Sequence, residues 1–176
     1  RVTAPWWVYA AVLTVPGVMF VAQASSGLKT ETPFIHPPAQ GWKSLLAQLV
    51  IVLAEEIGWR GYLLPVLMIA AGSIGGTLIL GVIWALWHLP MFFVNGSQQK
   101  GHSFFKYAVE VVAWSLLLSM VYLCSGGSIL LCMLFHGALT VASHTMTPTA
   151  KASQYGLVLL TVLAGFTAVV LPAPYF

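Results

Sequence analysis

Residues 42–64 read WKSLLAQLVIVLAEEIGWRGYLL, a mainly apolar run with three charged side chains in its second half. About 20 mainly apolar residues are enough to cross a bilayer as an α-helix. A charged side chain near the centre of such a helix costs roughly 2.5–3.5 kcal/mol on insertion scales. Glu55, Glu56 and Arg60 are therefore the residues of this run that most need a functional or structural explanation.

The composition of the whole chain extends this interpretation. Of its 176 residues, 59% are hydrophobic and 6% are charged. A soluble domain carries about 25% charged residues, so this chain cannot cover a water-facing surface and is predicted to lie in lipid. Its seven Lys and Arg residues are scattered rather than clustered, which excludes a nucleic-acid partner.

The hydrophobic pattern predicts an all-α fold, a polytopic bundle of about six transmembrane helices. The predicted spans are residues 6–24, 42–64, 74–88, 104–124, 128–146 and 153–171, with Pro65 expected to interrupt the second. We expect one transmembrane domain over residues 1–176. Its N-terminus is expected to be truncated, because the chain begins at Arg1 with a hydrophobic run following directly.

Loop charges predict how these helices are oriented. If six helices alternate in direction, one side of the membrane receives Lys29, Lys43, Lys100, Lys106 and Lys151, and the other receives Arg1. Lys and Arg are enriched in cytoplasmic loops. The sequence therefore predicts a multi-pass integral membrane protein whose lysine-bearing side faces the cytoplasm.

The charged residues of the second span divide into a pair and a remainder. Glu56 and Arg60 are four residues apart with the acid first, the favourable order for an ion pair on a helix. Their pairing leaves Glu55, whose direction differs by about 100° from that of Glu56. An unpaired carboxylate in lipid must be protonated or find a partner elsewhere in the fold.

Two intramembrane histidines are candidate partners for Glu55. His88 ends the third span and His136 lies near the middle of the fifth. Antiparallel helices can bring these three side chains to one depth, on the cytoplasmic side of the membrane centre. A carboxylate and two imidazoles can position and deprotonate a water molecule. The same three side chains are also a candidate zinc set, although the chain has no His-Glu-x-x-His motif.

Three separated motifs resemble those of the CPBP family of intramembrane proteases, also called the CAAX prenyl protease 2 or Abi family. Glu55-Glu-Ile-Gly-Trp-Arg60 is similar to Glu-Glu-x-x-x-Arg, and Trp84-Ala-Leu-Trp-His88 to Phe-x-x-x-His with Trp replacing Phe. His136-Gly-Ala-Leu-Thr140 is similar to His-x-x-x-Asn with Thr replacing Asn. The resemblance covers residues 42–146.

This resemblance implies an intramembrane endopeptidase with Glu55, Glu56, His88 and His136 as catalytic residues. Glu55 would be the general base and His88 would help to position the water. His136 and Thr140 would stabilise the oxyanion, while Glu56 would fix Arg60. No cofactor is favoured, and zinc held by Glu55, His88 and His136 is the alternative.

The implied substrate is a membrane-associated peptide or protein, either prenylated or bacteriocin-like. Two other functions stay open on the sequence. A catalytically impaired immunity or scaffold protein of the same fold is suggested by Thr140. A proton-coupled transporter is the other, because intramembrane Glu and His residues also form proton relays.

Overall fold

A computed structural model describes residues 41–97 and 99–145, the last four as backbone only. The described part of the chain consists of helices and turns without a strand, which confirms the all-α prediction for these residues. The predicted spans at residues 6–24 and 153–171 lie outside it, so the six-span count stays a prediction.

Four α-helices make up most of the described chain. They are α1 (Gly41–Gly58), α2 (Leu64–Trp87), α3 (Phe104–Cys124) and α4 (Ile129–Thr145). A π-helical turn, Trp59–Leu63, joins α1 to α2, and a short 3₁₀-helix, Leu89–Phe92, follows α2. The helical stretch Gly41–Phe92 and helix α3 are each long and apolar enough to cross a membrane.

Pro65 does not interrupt the helix as predicted. It lies in the first turn of α2, directly after the π-helical turn, in which the Leu64 N–H donates to the Trp59 carbonyl five residues earlier. A proline lacks an N–H and its ring clashes with the carbonyl four residues before it. The wider π turn relieves that conflict just before the proline, so the chain stays helical.

The break in the helix lies at Gly72 instead. Its φ of 71° and ψ of 171° are non-helical, and positive φ is a conformation that side-chain-bearing residues rarely adopt. Beyond this break, Gly76 packs so closely on the preceding arm that a Cβ would lie 2.7 Å from the Met68 amide nitrogen. The run 72–76 therefore forms both a sharp turn and a close helix contact.

Packing among the helices separates a protein-facing interior from an apolar exterior. Helix α2 packs mainly on α3, α1 packs on α4, and the π-helical turn contacts α1, α2 and α4. The interior includes Trp84, Leu118 and Phe135, whereas side chains such as Ile69 and Phe105 are exposed. Exposed large apolar side chains are expected where the neighbouring medium is lipid.

Candidate active site

Glu56 and Arg60 form the buried ion pair that the sequence predicts. Both side chains have 0% exposure, and Arg60 Nη1 donates to Glu56 Oε1 over 2.8 Å. The second terminal nitrogen of Arg60 donates to Ser115 Oγ on α3, at 3.4 Å. The π-helical turn begins at Trp59, so the acid lies at the end of α1 and the guanidinium inside the turn.

His136 on α4 joins this pair through the same carboxylate oxygen. Its Nδ1 lies 2.8 Å from Glu56 Oε1, and a carboxylate oxygen that already accepts from Arg60 accepts here too. His136 Nδ1 therefore carries a proton, and Nε2 takes no part in this hydrogen bond. Glu56 Oε2 is buried and has no hydrogen-bond partner within the described ranges.

Glu55 has a different environment, although it is the next residue to Glu56. Its side chain is half-buried, and it makes no side-chain hydrogen bond within residues 41–97 and 99–145. It interacts electrostatically with His136 and, less strongly, with His88. The hydrogen bond from His136 thus goes to Glu56, while Glu55 lies within electrostatic range of both imidazoles.

His88 is fixed at the end of α2 by its own helix. Its Nδ1 lies 2.8 Å from the Trp84 carbonyl oxygen, one turn earlier. Because a carbonyl can only accept, Nδ1 holds the proton of the neutral ring and Nε2 has an available lone pair. His88 is therefore oriented with an acceptor nitrogen directed away from its helix backbone.

The indole of Trp84 lies among the other site residues. Its ring centroid is 5.2 Å from that of His136 and 5.9 Å from that of His88, and the Arg60 guanidinium carbon lies 4.8 Å from it. A guanidinium at this distance from an indole face is a cation–π contact. This tryptophan, which replaces the phenylalanine of the resembled motif, thus contacts both imidazoles and the buried cation.

Tyr107 and Ser115 on α3 are site residues that the sequence interpretation missed. The Tyr107 ring meets His88 edge-on at a centroid distance of 5.4 Å, and its hydroxyl lies within electrostatic range of Glu110 and Glu55. Ser115 is fully buried beside Arg60. A sequence signal existed for Ser115, because Ser119 follows four residues later and creates a polar strip on an apolar span.

Thr140 lies one turn after His136 and uses its hydroxyl within its own helix. Its Oγ1 donates to the His136 carbonyl oxygen over 3.0 Å. A threonine hydroxyl has one donor hydrogen. In this conformation that hydrogen is directed to the backbone rather than to a substrate.

The described residues also bear on the zinc alternative. No group of three His, Cys, Asp or Glu side chains in residues 41–97 and 99–145 is arranged to hold a metal ion. The Nδ1 atoms of His88 and His136 are engaged by a carbonyl and by Glu56. Their Nε2 atoms, with Glu55, are the donors that a zinc ion would have to use.

Two comparisons with known proteins indicate the family to which this chain is similar. The family model described as type II CAAX prenyl endopeptidase, Rce1-like, matches residues 37–142, a range that contains all three motifs. A protein named CAAX prenyl protease 2 from Methanococcus maripaludis is 26% identical over 153 residues, covering 81% of this chain and 53% of that protein. The chain thus spans about half the length of that relative.

Proposed function

This chain belongs to the Rce1-like family of type II CAAX prenyl endopeptidases, and we propose that it is an intramembrane endopeptidase that uses water activated by Glu55. One observation carries the proposal. Of two adjacent carboxylates, Glu56 is fully buried and accepts from Arg60 and His136, while Glu55 is half-buried within electrostatic range of two imidazoles. A carboxylate that forms no ion pair within the described part of the chain is the one able to take a proton.

In the proposed reaction Glu55 and His88 hold the attacking water. Water donates one hydrogen to the Glu55 carboxylate and the other to the lone pair of His88 Nε2, which the contact at Nδ1 leaves available. As the water oxygen bonds to the peptide carbonyl carbon, Glu55 takes the proton and the carbonyl electrons move to oxygen. General-base assistance of this kind typically contributes about 10²–10⁴-fold.

His136 is proposed to stabilise the oxyanion through Nε2. Because Nδ1–H donates to Glu56, Nε2 can donate only when the ring is an imidazolium. In that form its positive charge balances an ionised Glu55, as Arg60 balances Glu56, and it would attract the negative charge that develops on the carbonyl oxygen.

Collapse of the tetrahedral intermediate completes the proposed cycle. The oxyanion electrons reform the carbonyl, the C–N bond breaks, and the departing amine takes the proton from Glu55. The products are a carboxylic acid, which keeps the second proton of the water, and an amine, and Glu55 is ionised again. Glu56 and Arg60 act in this scheme by fixing the His136 ring, without touching the substrate.

The proposed substrate is a membrane-associated peptide or protein. The relative from Methanococcus maripaludis is named a prenyl protease, which favours a prenylated peptide over a bacteriocin-like one. The proposed site faces the cytoplasm. In support, His88 contacts Tyr107 in the first turns of α3, directly after the loop with Lys100 and beside Lys106.

The test is cleavage of a prenylated fluorogenic peptide by the purified protein in lipid vesicles. Glu55→Gln keeps the shape and removes the base, so kcat should fall about 10²–10⁴-fold. The matched control is Glu110→Gln, in a carboxylate of α3 that accepts from Trp114, a contact that glutamine can keep. Equal rates for Glu55→Gln and the parent would end the proposal.

The same assay separates the competing functions. A parent protein that binds the peptide but never cleaves it would support the impaired scaffold. A proton-coupled transporter would move protons across vesicles in a manner that depends on Glu55 and would leave the peptide intact. If an unprenylated peptide is cleaved with the same kcat/KM, the proposed substrate does not need a prenyl group.

A further inference from the structure

The indole N–H of Trp84 is a buried hydrogen-bond donor beside the candidate active site. Trp84 is 4% exposed, and its Nε1 has no hydrogen-bond partner within the described ranges. The same ring contacts Arg60, His88 and His136, which define the candidate active site. The N–H is therefore an unused donor in the wall of the site.

A buried donor without an acceptor is costly, since it loses its hydrogen bonds to water and gains nothing in return. A phenylalanine would keep the apolar ring contacts and avoid this penalty. The resembled motif has phenylalanine here, as Phe-x-x-x-His, whereas this chain has Trp84. The indole N–H gains a hydrogen-bond partner if a substrate oxygen that enters the site accepts from it.

The second difference from the resembled motifs is Thr140, which also lies beside His136. The pattern His-x-x-x-Asn carries an amide donor where this chain has Thr140, and the Thr140 hydroxyl donates to the His136 carbonyl. Compared with the resembled motifs, this chain has a hydroxyl instead of an amide N–H at Thr140 and an additional indole N–H at Trp84. Both lie next to His136, Thr140 by one helical turn and Trp84 by a ring contact of 5.2 Å.

We propose that Trp84 Nε1–H donates a hydrogen bond to the oxyanion and so replaces the donor that Thr140 does not supply. This inference rests on the proposed function. When water adds to the peptide carbonyl, the carbonyl electrons move to oxygen, which then accepts from Trp84 Nε1–H and His136 Nε2–H. No proton is transferred from the indole, and both contacts are released when the carbonyl reforms.

The test is a cycle of four proteins: the parent, Trp84→Phe, Thr140→Asn, and both changes together. Removal of one oxyanion donor typically lowers kcat about 10²–10³-fold, so Trp84→Phe should lose about 100-fold in kcat with KM changed less than about threefold. In the double variant asparagine restores a donor, and most of that loss should be recovered. Thr140→Asn alone should change kcat by less than about fivefold, because Trp84 already fills the role.

The matched control is Trp87→Phe, the same chemical change three residues later on an exposed side chain. It should retain the parent kcat, and thermal unfolding in detergent should show that Trp84→Phe stays folded. If Trp84→Phe does not fold, the kcat of Thr140→Asn tests the inference by itself. A gain of about 100-fold over the parent kcat would mean that the indole supplies no donor to the oxyanion.

Each outcome bears on a different claim. Full activity of Trp84→Phe overturns the inference, and so does a loss that Thr140→Asn fails to recover, as expected if the indole only packs or holds a structural water. These results leave the endopeptidase proposal intact as long as the parent cleaves and Glu55→Gln does not. A parent without activity instead defeats the proposed function.

Discussion

Replacing Arg60 by methionine tests the buried ion pair on which the site is built. Both members of the pair have 0% exposure, and the joining hydrogen bond is 2.8 Å long. Methionine keeps much of the apolar stem but leaves Glu56 without its guanidinium. Breaking a buried pair by removing one partner costs about 3–5 kcal/mol, because the other charge stays buried.

Two further contacts set where in that range Arg60→Met should fall. The guanidinium packs 4.8 Å from the Trp84 ring centre, and a desolvated cation–π contact contributes about 0.5–2 kcal/mol. In the opposite direction, Glu56 keeps the hydrogen bond from His136, which offsets part of its desolvation. We therefore expect about 3–4 kcal/mol of lost stability.

The assay is reversible unfolding of the protein in mixed micelles titrated with sodium dodecyl sulfate. Lys43→Met, an exposed change on helix α1, is the control and should lie within about 0.5 kcal/mol of the parent. The double variant Glu56→Gln with Arg60→Met removes both charges and should lose less stability than Arg60→Met alone. An Arg60→Met protein within about 1 kcal/mol of the parent would refute the reasoning.

Four further predictions concern the turn, the imidazole support and the metal. Gly72→Ala forces a Cβ onto a backbone with φ of 71° and ψ of 171°, a region adopted essentially only by glycine, and should cost about 1–3 kcal/mol in the same unfolding assay. Gly76→Ala places a Cβ 2.7 Å from the Met68 nitrogen and should cost about 1–3 kcal/mol. Tyr107→Ala removes the ring against His88 and should lower kcat about tenfold, whereas Tyr107→Phe should stay near the parent. A zinc chelator should leave kcat unchanged, and a loss restored by added Zn²⁺ would establish the zinc alternative instead.

The sequence predicted the parts of this structure that depend on local spacing. The Glu56–Arg60 pair follows from a four-residue separation on a helix, and the structure confirms it. The glycines at 72 and 76 are likewise a local feature, since a turn and a close helix approach both depend on the absence of a side chain. Local geometry fixes these features because their partners lie within about two helical turns of each other.

The parts that the sequence did not predict depend on contacts between helices. Nothing in the spacing of 80 residues between Glu56 and His136 indicates which of two adjacent carboxylates the imidazole meets. Tyr107 and Trp84 resemble ordinary aromatic residues of an apolar span until α2 and α3 are packed together. Pro65 lies within a helix because the π-helical turn before it accommodates the ring, and the apolar pattern of the sequence does not indicate such a turn.

The adjacency of the two carboxylates has a physical reason. A step of one residue turns the side chain by about 100°, so Glu56 points into the helix bundle while Glu55 stays half-buried. The inward carboxylate is held by a cation and an imidazole, which fixes the ring that faces the reaction. If the roles were exchanged, the base would be locked in an ion pair and would be a poor proton acceptor. The roles as assigned therefore predict that Glu56→Gln lowers stability as well as rate, whereas Glu55→Gln lowers the rate alone.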